Sequence, residues 1–313
     1  MLEHAVLPEG LVEQICNHLS EEDQTKLREA SSLQDRLSES VINSLTDEQK
    51  IEISQFAGRH NEDAAMLQLV PSIVLASIAD PVVGVKAMLS ACAESKVQAV
   101  AGLLDGGVSA NAGIGGVSAL MEAADGRDYT ASADIVQLLI QSGASVHSVD
   151  IRGRTALHLA AARGNTLVIK ALLEAGCDVN QRAKGVSPIL IASEKKQYKA
   201  VELLIEKGAN VNDQDGVGRS SLIWAADHSS PALVQLLISK GADLNHTNMF
   251  GKAALLLASE NGSMDVVKLL VDAGCDVRIK DNLGKTASDY CSPGFPWTKV
   301  KKIISEATVK SAL

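Results

Sequence analysis

Histidine, cysteine and carboxylate side chains carry most protein chemistry, so their spacing decides what reactions this chain could support. Asp227 and His228 are an adjacent acid–imidazole pair near a helical stretch. Adjacent residues on a helix do not face each other, so this carboxylate cannot orient its neighbour as a general base. His4, His18, His60, His147 and His246 show no metal-ligand spacing. The five cysteines, Cys16, Cys92, Cys177, Cys275 and Cys291, are far apart and form no CxxC pair. The glycine-rich "GIGGVSAL" from Gly113 lacks the Gly-Lys-Ser/Thr ending that cradles phosphate. A nucleophile with its base, a metal or a bound phosphate is the minimum for catalysis. The expectation is therefore a chain with no catalytic residue, no cofactor and no metal.

The bulk composition agrees. Of 313 residues 46% are hydrophobic, yet only 3% are aromatic. That favours many thin layers of Ala, Leu, Val and Gly over one thick core. The longest apolar run, Met66 to Ile78, is too short to cross a bilayer and holds Pro71. Charge is unevenly placed. Residues 1–65 hold 14 Asp and Glu against 5 Lys and Arg, a net of −9 that equals the net of the whole chain. Residues 66–313 are thus neutral overall and lack the clustered cations that nucleic acid requires. We expect no nucleic-acid partner and no membrane. The unpaired cysteines suggest a reducing compartment, the cytoplasm, with the nucleus as the alternative.

The positioning elements follow from a period. Gly143, Gly176, Gly208, Gly241 and Gly274 are spaced by 33, 32, 33 and 33 residues. Gly153, Gly185, Gly218, Gly251 and Gly284 keep the same beat. The first series follows apolar stretches such as "VQLLIQS" and suits the left-handed position after a helix. The second ends "DIRG", "DGVG", "NMFG" and "DNLG", where Asp or Asn first and Gly fourth signals a type I turn. Each unit reads as a turn, a short helix rich in small residues, a second helix with paired leucines, and a glycine stop. Helices of two turns are unstable alone and must stack on copies of themselves.

Those units resemble the ankyrin repeat family, whose pattern includes T-P-L-H-x-A-A. The matching segments are "TALHLAA" from Thr155, "SPILIAS" from Ser187, "SSLIWAA" from Ser220 and "AALLLAS" from Ala253. Looser copies are "SALMEAA" from Ser118 and "VKAMLSA" from Val85, with a truncated "KTASDYC" from Lys285. Ala156, Ser221 and Ala254 replace the family's proline, and one unit alone keeps the histidine, His158. The resemblance implies an all-α solenoid of about six to seven helix–turn–helix units over residues 84–291, with β-hairpin fingers and a protein-binding concave face. It also implies that His158 ties turns together by hydrogen bonds. Asn180, Asn212 and Asn245 stand where the family's asparagine can be hydroxylated by an oxygen-sensing enzyme.

The ends differ from the repeats. Leu7, Pro8, Leu11, Ile15, Leu19 and Leu27 recur at helical spacing and resemble the F-box family, which would make them contacts for a cullin-ligase adaptor. Gln24 and Gln34 stand where that family has leucine and tryptophan. Residues 1–40 are read as an acidic helical segment and 41–83 as a helical linker or N-terminal cap, together a small helical N-terminal domain. Residues 292–313 are read as a C-terminal cap, with Phe295 and Trp297 plugging the open apolar end. The longer step of 36 residues between Gly107 and Gly143 is read as an insertion with Tyr129 at its tip.

With few aromatics, the candidate anchors of a binding face are few. Trp224 and Phe250, beside Met249, occupy adjacent units and could form one apolar patch; Trp224 could equally pack against the next repeat. Arg152, Lys184, Arg219 and Lys252 fall near successive finger tips. Arg163, Lys195, Asp227 and Glu260 fall near the inner helix ends, with His228 on the groove side. Together these predict a groove for a partner of mixed or partly acidic charge. The expected function is a non-catalytic scaffold or adaptor binding one or more proteins. The alternatives are a substrate receptor of a cullin-RING ubiquitin ligase and a structural subunit of a large assembly.

Overall fold

The computed structural model describes residues 81–291, 294 and 296–310. The F-box-like positions Leu7 to Leu27 and the proposed plug Phe295 lie outside the described residues. Thirteen α-helices, one 3-10 turn and a single two-stranded ladder make up the described part. These residues divide into two compact units. The first holds the described residues through Ile151 with Glu174–Gly176; the second holds Arg152–Leu173 and Cys177 onward.

The first unit contains α1 (Pro81–Ala93), α2 (Val97–Asp105), β1 (Gly113–Ile114), β2 (Val117–Ser118), α3 (Ala119–Ala124) and α4 (Tyr129–Gln141). α1 packs on α2 and α3, and α4 packs on α2 and α3. Ser118 begins α3 by accepting from the Met121 amide at 3.3 Å, and Asp128 begins α4 by accepting from Thr130 and Ala131, each at 3.0 Å. Such caps satisfy amides that the first helical turn leaves open. The "GIGGVSAL" stretch forms the β1–β2 hairpin, with Gly115 and Gly116 both at positive φ, as a two-residue turn demands. Tyr129 is not the tip of an inserted loop. The extra residues lengthen α4 to 13 residues, against 9 in α2, because Asp128 caps the chain one turn earlier.

The second unit repeats one pattern. The inner helices are α5 (Ala156–Arg163), α7 (Pro188–Glu194), α9 (Ser221–Asp227) and α11 (Ala254–Glu260). The outer helices are α6 (Thr166–Glu174), α8 (Tyr198–Glu206), α10 (Pro231–Ser239) and α12 (Met264–Asp272). Inner helices pack on inner helices in sequence, and α8, α10 and α12 do the same in the outer layer. Ala160, Ala192, Ala225 and Ala258 are fully buried on the inner row, where small side chains permit close approach. In each leucine pair one member goes inside: Leu172, Leu204, Leu237 and Leu270 are fully buried, while Leu173, Leu203, Leu236 and Leu269 are half-buried.

The last repeat shrinks to a 3-10 turn, Ala287–Tyr290, followed by α13 (Trp297–Lys310). α13 closes the outer row against α12 through buried Val300 and Ile304. The end is therefore covered by aliphatic side chains of the helix. Trp297 instead lies over Gly262 at the α11–α12 turn and donates its indole N–H to the Glu260 carbonyl at 3.3 Å.

Side chains stitch successive units. Asn180 donates to the Gly208 carbonyl at 3.2 Å and accepts from the Asn210 amide at 2.9 Å. Asn212 does the same to Gly241 and Asp243, and Asn245 accepts from Asp276 at 2.8 Å. In the first unit Asn111 makes the equivalent pair to Gly143 and Ser145. His158 accepts from the Thr155 amide at 3.2 Å through Nδ1 and reaches the Val186 carbonyl at 3.2 Å through Nε2. His246 reaches the Gly218 carbonyl at 2.9 Å, a tie that its sequence spacing did not suggest.

The fingers of the second unit are turns more than strands. Only isolated bridges form, Ala183 with Val186, Gln214 with Ser220 and Thr247 with Ala253. The reason is local: Asp215, Asn248 and Asp281 each use one side-chain oxygen to take two backbone amides of their own turn. Gly251 closes one such turn at φ +75°. A Cβ there would lie 2.8 Å from the Asn282 amide and 2.9 Å from the Asp281 Cα, whereas one at Gly241 (φ +81°) would meet nothing within 4 Å. Left-handed strain alone costs about 1–2 kcal/mol. Gly251→Ala should therefore lower the urea midpoint well beyond Gly241→Ala; equal losses would mean that the fingers do not press together.

Candidate functional site

The fingers of the second unit place apolar side chains in solvent. The Asn248 turn leaves Met249 and Phe250 60% and 58% exposed, and the Asp281 turn leaves Leu283 77% exposed. These turns are tied together. The Asn282 amide donates to the Phe250 carbonyl at 3.0 Å, and its side chain donates to the Met249 carbonyl at 2.9 Å. The Met249 amide in turn donates to Val217 of the preceding finger at 3.0 Å. Behind them, α9 and α11 are joined where Asn261 donates to the Asp227 carbonyl at 2.8 Å.

Between fingers and inner helices lies an open cleft of about 470 Å³. Trp224, Phe250 and Tyr290 give it three aromatic rings, and Ile223, Leu257 and Leu283 fill the spaces between them. Its charged walls are Arg219, Lys252, Asp227 and Asp281. Arg219 lies 3.9 Å over the Trp224 ring and is held there by Asp215 at 2.8 Å. Lys252 lies 4.5 Å over the Tyr290 ring and pairs with Glu260 at 2.6 Å. Both cations are thus stacked and neutralised within the chain.

The titratable groups follow from these contacts. The Tyr290 hydroxyl donates to Asp281 and holds its carboxyl below the usual range, helped by the amides of Lys285 and Leu283. The same bond, with burial second, raises the Tyr290 phenol. Burial works to lower Lys252, but its bond and charge contact with Glu260 outweigh that and raise it. His228 stacks near Trp224 with ring centroids 5.5 Å apart, and burial together with the Lys196 charge lowers its basicity. Burial pushes the thiols of Cys92 and Cys275 up to about 12 and Cys177 to about 11. Thiols so protonated are poor nucleophiles. Among the described residues no group of three His, Cys, Asp or Glu could hold a metal ion, and no helix is long and apolar enough to cross a membrane.

Of the residues singled out in the sequence, the cleft brings together Arg219, Trp224, Phe250 and Lys252, with Glu260 paired to Lys252 and His228 against Trp224, while Met249 shares the turn of Phe250 without lining the cleft. Arg152 and Lys184 stand on earlier finger turns outside it. Arg163 ends α5, and Lys195 follows α7 and pairs with Glu194 at 3.0 Å. Sequence reasoning missed Tyr290, Leu283 and Asp281: Asp281 and Leu283 lie in the turn "DNLG", which reads only as a turn, and Tyr290 lies in "KTASDYC", which reads as a truncated repeat at the start of the cap. A signal was present: Tyr290 follows Gly284 by six residues, as Trp224 follows Gly218 and Leu257 follows Gly251.

Comparison with known proteins places this arrangement. The family described as ankyrin repeats (3 copies) matches residues 128–215 and 218–294. The E3 ubiquitin-protein ligase KEG of Arabidopsis thaliana is 36% identical over 87 residues, covering 27% of this chain and 5% of KEG. The human B-cell lymphoma 3 protein is 34% identical over 95 residues, covering 28% of this chain and 21% of the relative. The alignments thus span a small part of these relatives' length. The ankyrin repeat domain of human ASB11 superposes with a TM-score of 0.64 at 25% identity, over 70% of this chain and 96% of that domain.

Proposed function

The chain belongs to the ankyrin repeat family, a protein-interaction fold, and from that premise we propose that its second unit grips a partner polypeptide in the cleft around Trp224, Phe250 and Tyr290. One observation carries the reading. Two large apolar side chains, Phe250 and Leu283, stand exposed in the lining of a cleft with an aromatic floor, and exposed Met249 shares the turn of Phe250. Contiguous exposed apolar surface rimmed by polar groups marks an interaction site. The action is passive: prearranged fingers and stacked cations present a surface with little left to order on binding. On this reading the protein is a scaffold or adaptor.

The test is crosslinking mass spectrometry on full-length protein in cell lysate, followed by affinity measurement on the recovered partner. Crosslinks should concentrate at Lys252 and Lys285. Trp224→Ala with Phe250→Ala should weaken the partner at least thirtyfold, the effect of losing about 2 kcal/mol at an aromatic anchor. Unchanged affinity, with the repeats still folded, rejects the cleft.

A second reading rests on the F-box-like residues Leu7, Pro8, Leu11, Ile15, Leu19 and Leu27. Here the N-terminal segment docks a cullin-ligase adaptor and the repeats choose the substrate. Deleting residues 1–40 should then release the adaptor and leave the cleft's partner bound. Retention of every partner rejects it.

A further inference from the structure

We infer that the cleft selects a linear segment in which an apolar anchor is followed closely by an arginine or lysine. This rests on the cleft reading above and adds the charge of the occupant. Residue types alone suggested a mixed or acidic partner, since Arg219 and Lys252 point to anions. The geometry reverses that. Arg219 is held by Asp215 at 2.8 Å and stacked on Trp224; Lys252 is held by Glu260 at 2.6 Å and stacked on Tyr290. A cation already paired and desolvated on one face has little attraction left for an incoming carboxylate.

The acidic walls are treated differently. Asp281 is engaged by Tyr290 and by two backbone amides of its own turn. Asp227 is exposed, and among the described residues its carboxylate makes no ion pair; only its backbone carbonyl is bonded, to Asn261. Asp227 is also the last residue of α9, where the helix dipole disfavours a negative charge. Its charge acts on the neighbouring His228 but opposes the dipole of the helix that carries it. It sits on the same wall as Ile223 and Trp224, so an apolar side chain entering between the rings brings the next residues past this carboxylate. The nearby cations do not cancel it in place: Lys285 lies over Tyr290 at 5.3 Å, Lys195 is paired with Glu194, and Lys196 faces His228 outside the cleft.

The probe is a phage-displayed library of random 12-residue peptides selected on the full chain. Peptides lost on the Trp224→Ala variant are kept as cleft-dependent. These should carry Arg or Lys within three residues of a large apolar side chain. Synthesised individually, they should bind Asp227→Lys at least tenfold more weakly and Asp227→Asn at an intermediate level. Selection on Asp227→Lys should instead enrich Asp and Glu. Both variants remove a charge the helix terminus disfavours, so neither should unfold the repeat, and circular dichroism checks this. Cleft-dependent peptides that are acidic or charge-neutral, or that ignore Asp227→Lys, overturn the inference while leaving the cleft reading intact. A selection with no peptide sensitive to Trp224→Ala overturns both.

Discussion

Leu204→Ala should lower the unfolding free energy by about 2–5 kcal/mol, the range for emptying a rigid, fully buried leucine site. Leu204 is 0% exposed on α8, which packs against α7 and α10. Its own helix and the helices packed around it carry side chains that are themselves fully buried, among them Val201, Leu237 and Ala192. A thin layer has no second shell of large side chains to redistribute. The adjacent Leu203 is half-buried, so Leu203→Ala serves as a control and should lose well under half as much. Urea unfolding followed by the emission of Trp224 and Trp297 makes the comparison. Because each repeat leans only on its neighbours, the Leu204 variant should also unfold less cooperatively, with a lower slope against urea. Equal losses at the two leucines would mean that the layers are not packed as described.

His158→Ala should cost about 2–4 kcal/mol, from the contacts to Thr155 and Val186 lost in a dry interior and the space left behind. The ring is fully buried. With Nδ1 accepting from the Thr155 amide, Nε2 carries the proton and donates to Val186. Removing the ring strands an amide and a carbonyl that belong to consecutive repeats. The corresponding positions in other units, Leu190, Ile223 and Leu256, are apolar and equally buried. His158→Leu should therefore restore the volume without the bonds and fall between wild type and His158→Ala in thermal unfolding. If leucine is as costly as alanine, the hydrogen bonds carry the whole effect; if it matches wild type, they carry none.

The repeat architecture was legible because it is periodic. The two glycine series mark helix ends and turn ends independently, and Gly143, Gly176, Gly208, Gly241 and Gly274 all adopt positive φ. The paired leucines named the outer layer, although only the pattern in space tells which of each pair goes inside. The site was half legible. Trp224, Phe250, Arg219 and Lys252 stand out by type, but their pairing does not: the partners Asp215 and Glu260 lie four residues before Arg219 and eight after Lys252 in different local structures. The asparagines at 180, 212 and 245 were visible as a series, while their bonds to the next unit lie 28 to 31 residues ahead, beyond any local rule. Tyr290 was hidden because the last repeat lacks a full helix, so its register was overlooked.

The asparagine ties also constrain how such a gene can change length. Each amide reaches forward into the next module, so adding or deleting a few residues between two of them, other than at a helix beginning, would leave both ends of a tie without a mate. Duplication or loss of a whole module leaves every remaining tie matched. The longer step from Gly107 to Gly143 shows the other tolerated route. Its surplus enters at the start of α4, while the tie from Asn111 to Gly143 and Ser145 stays intact. Heritable variation in this chain should therefore come as complete modules or as extensions at helix beginnings.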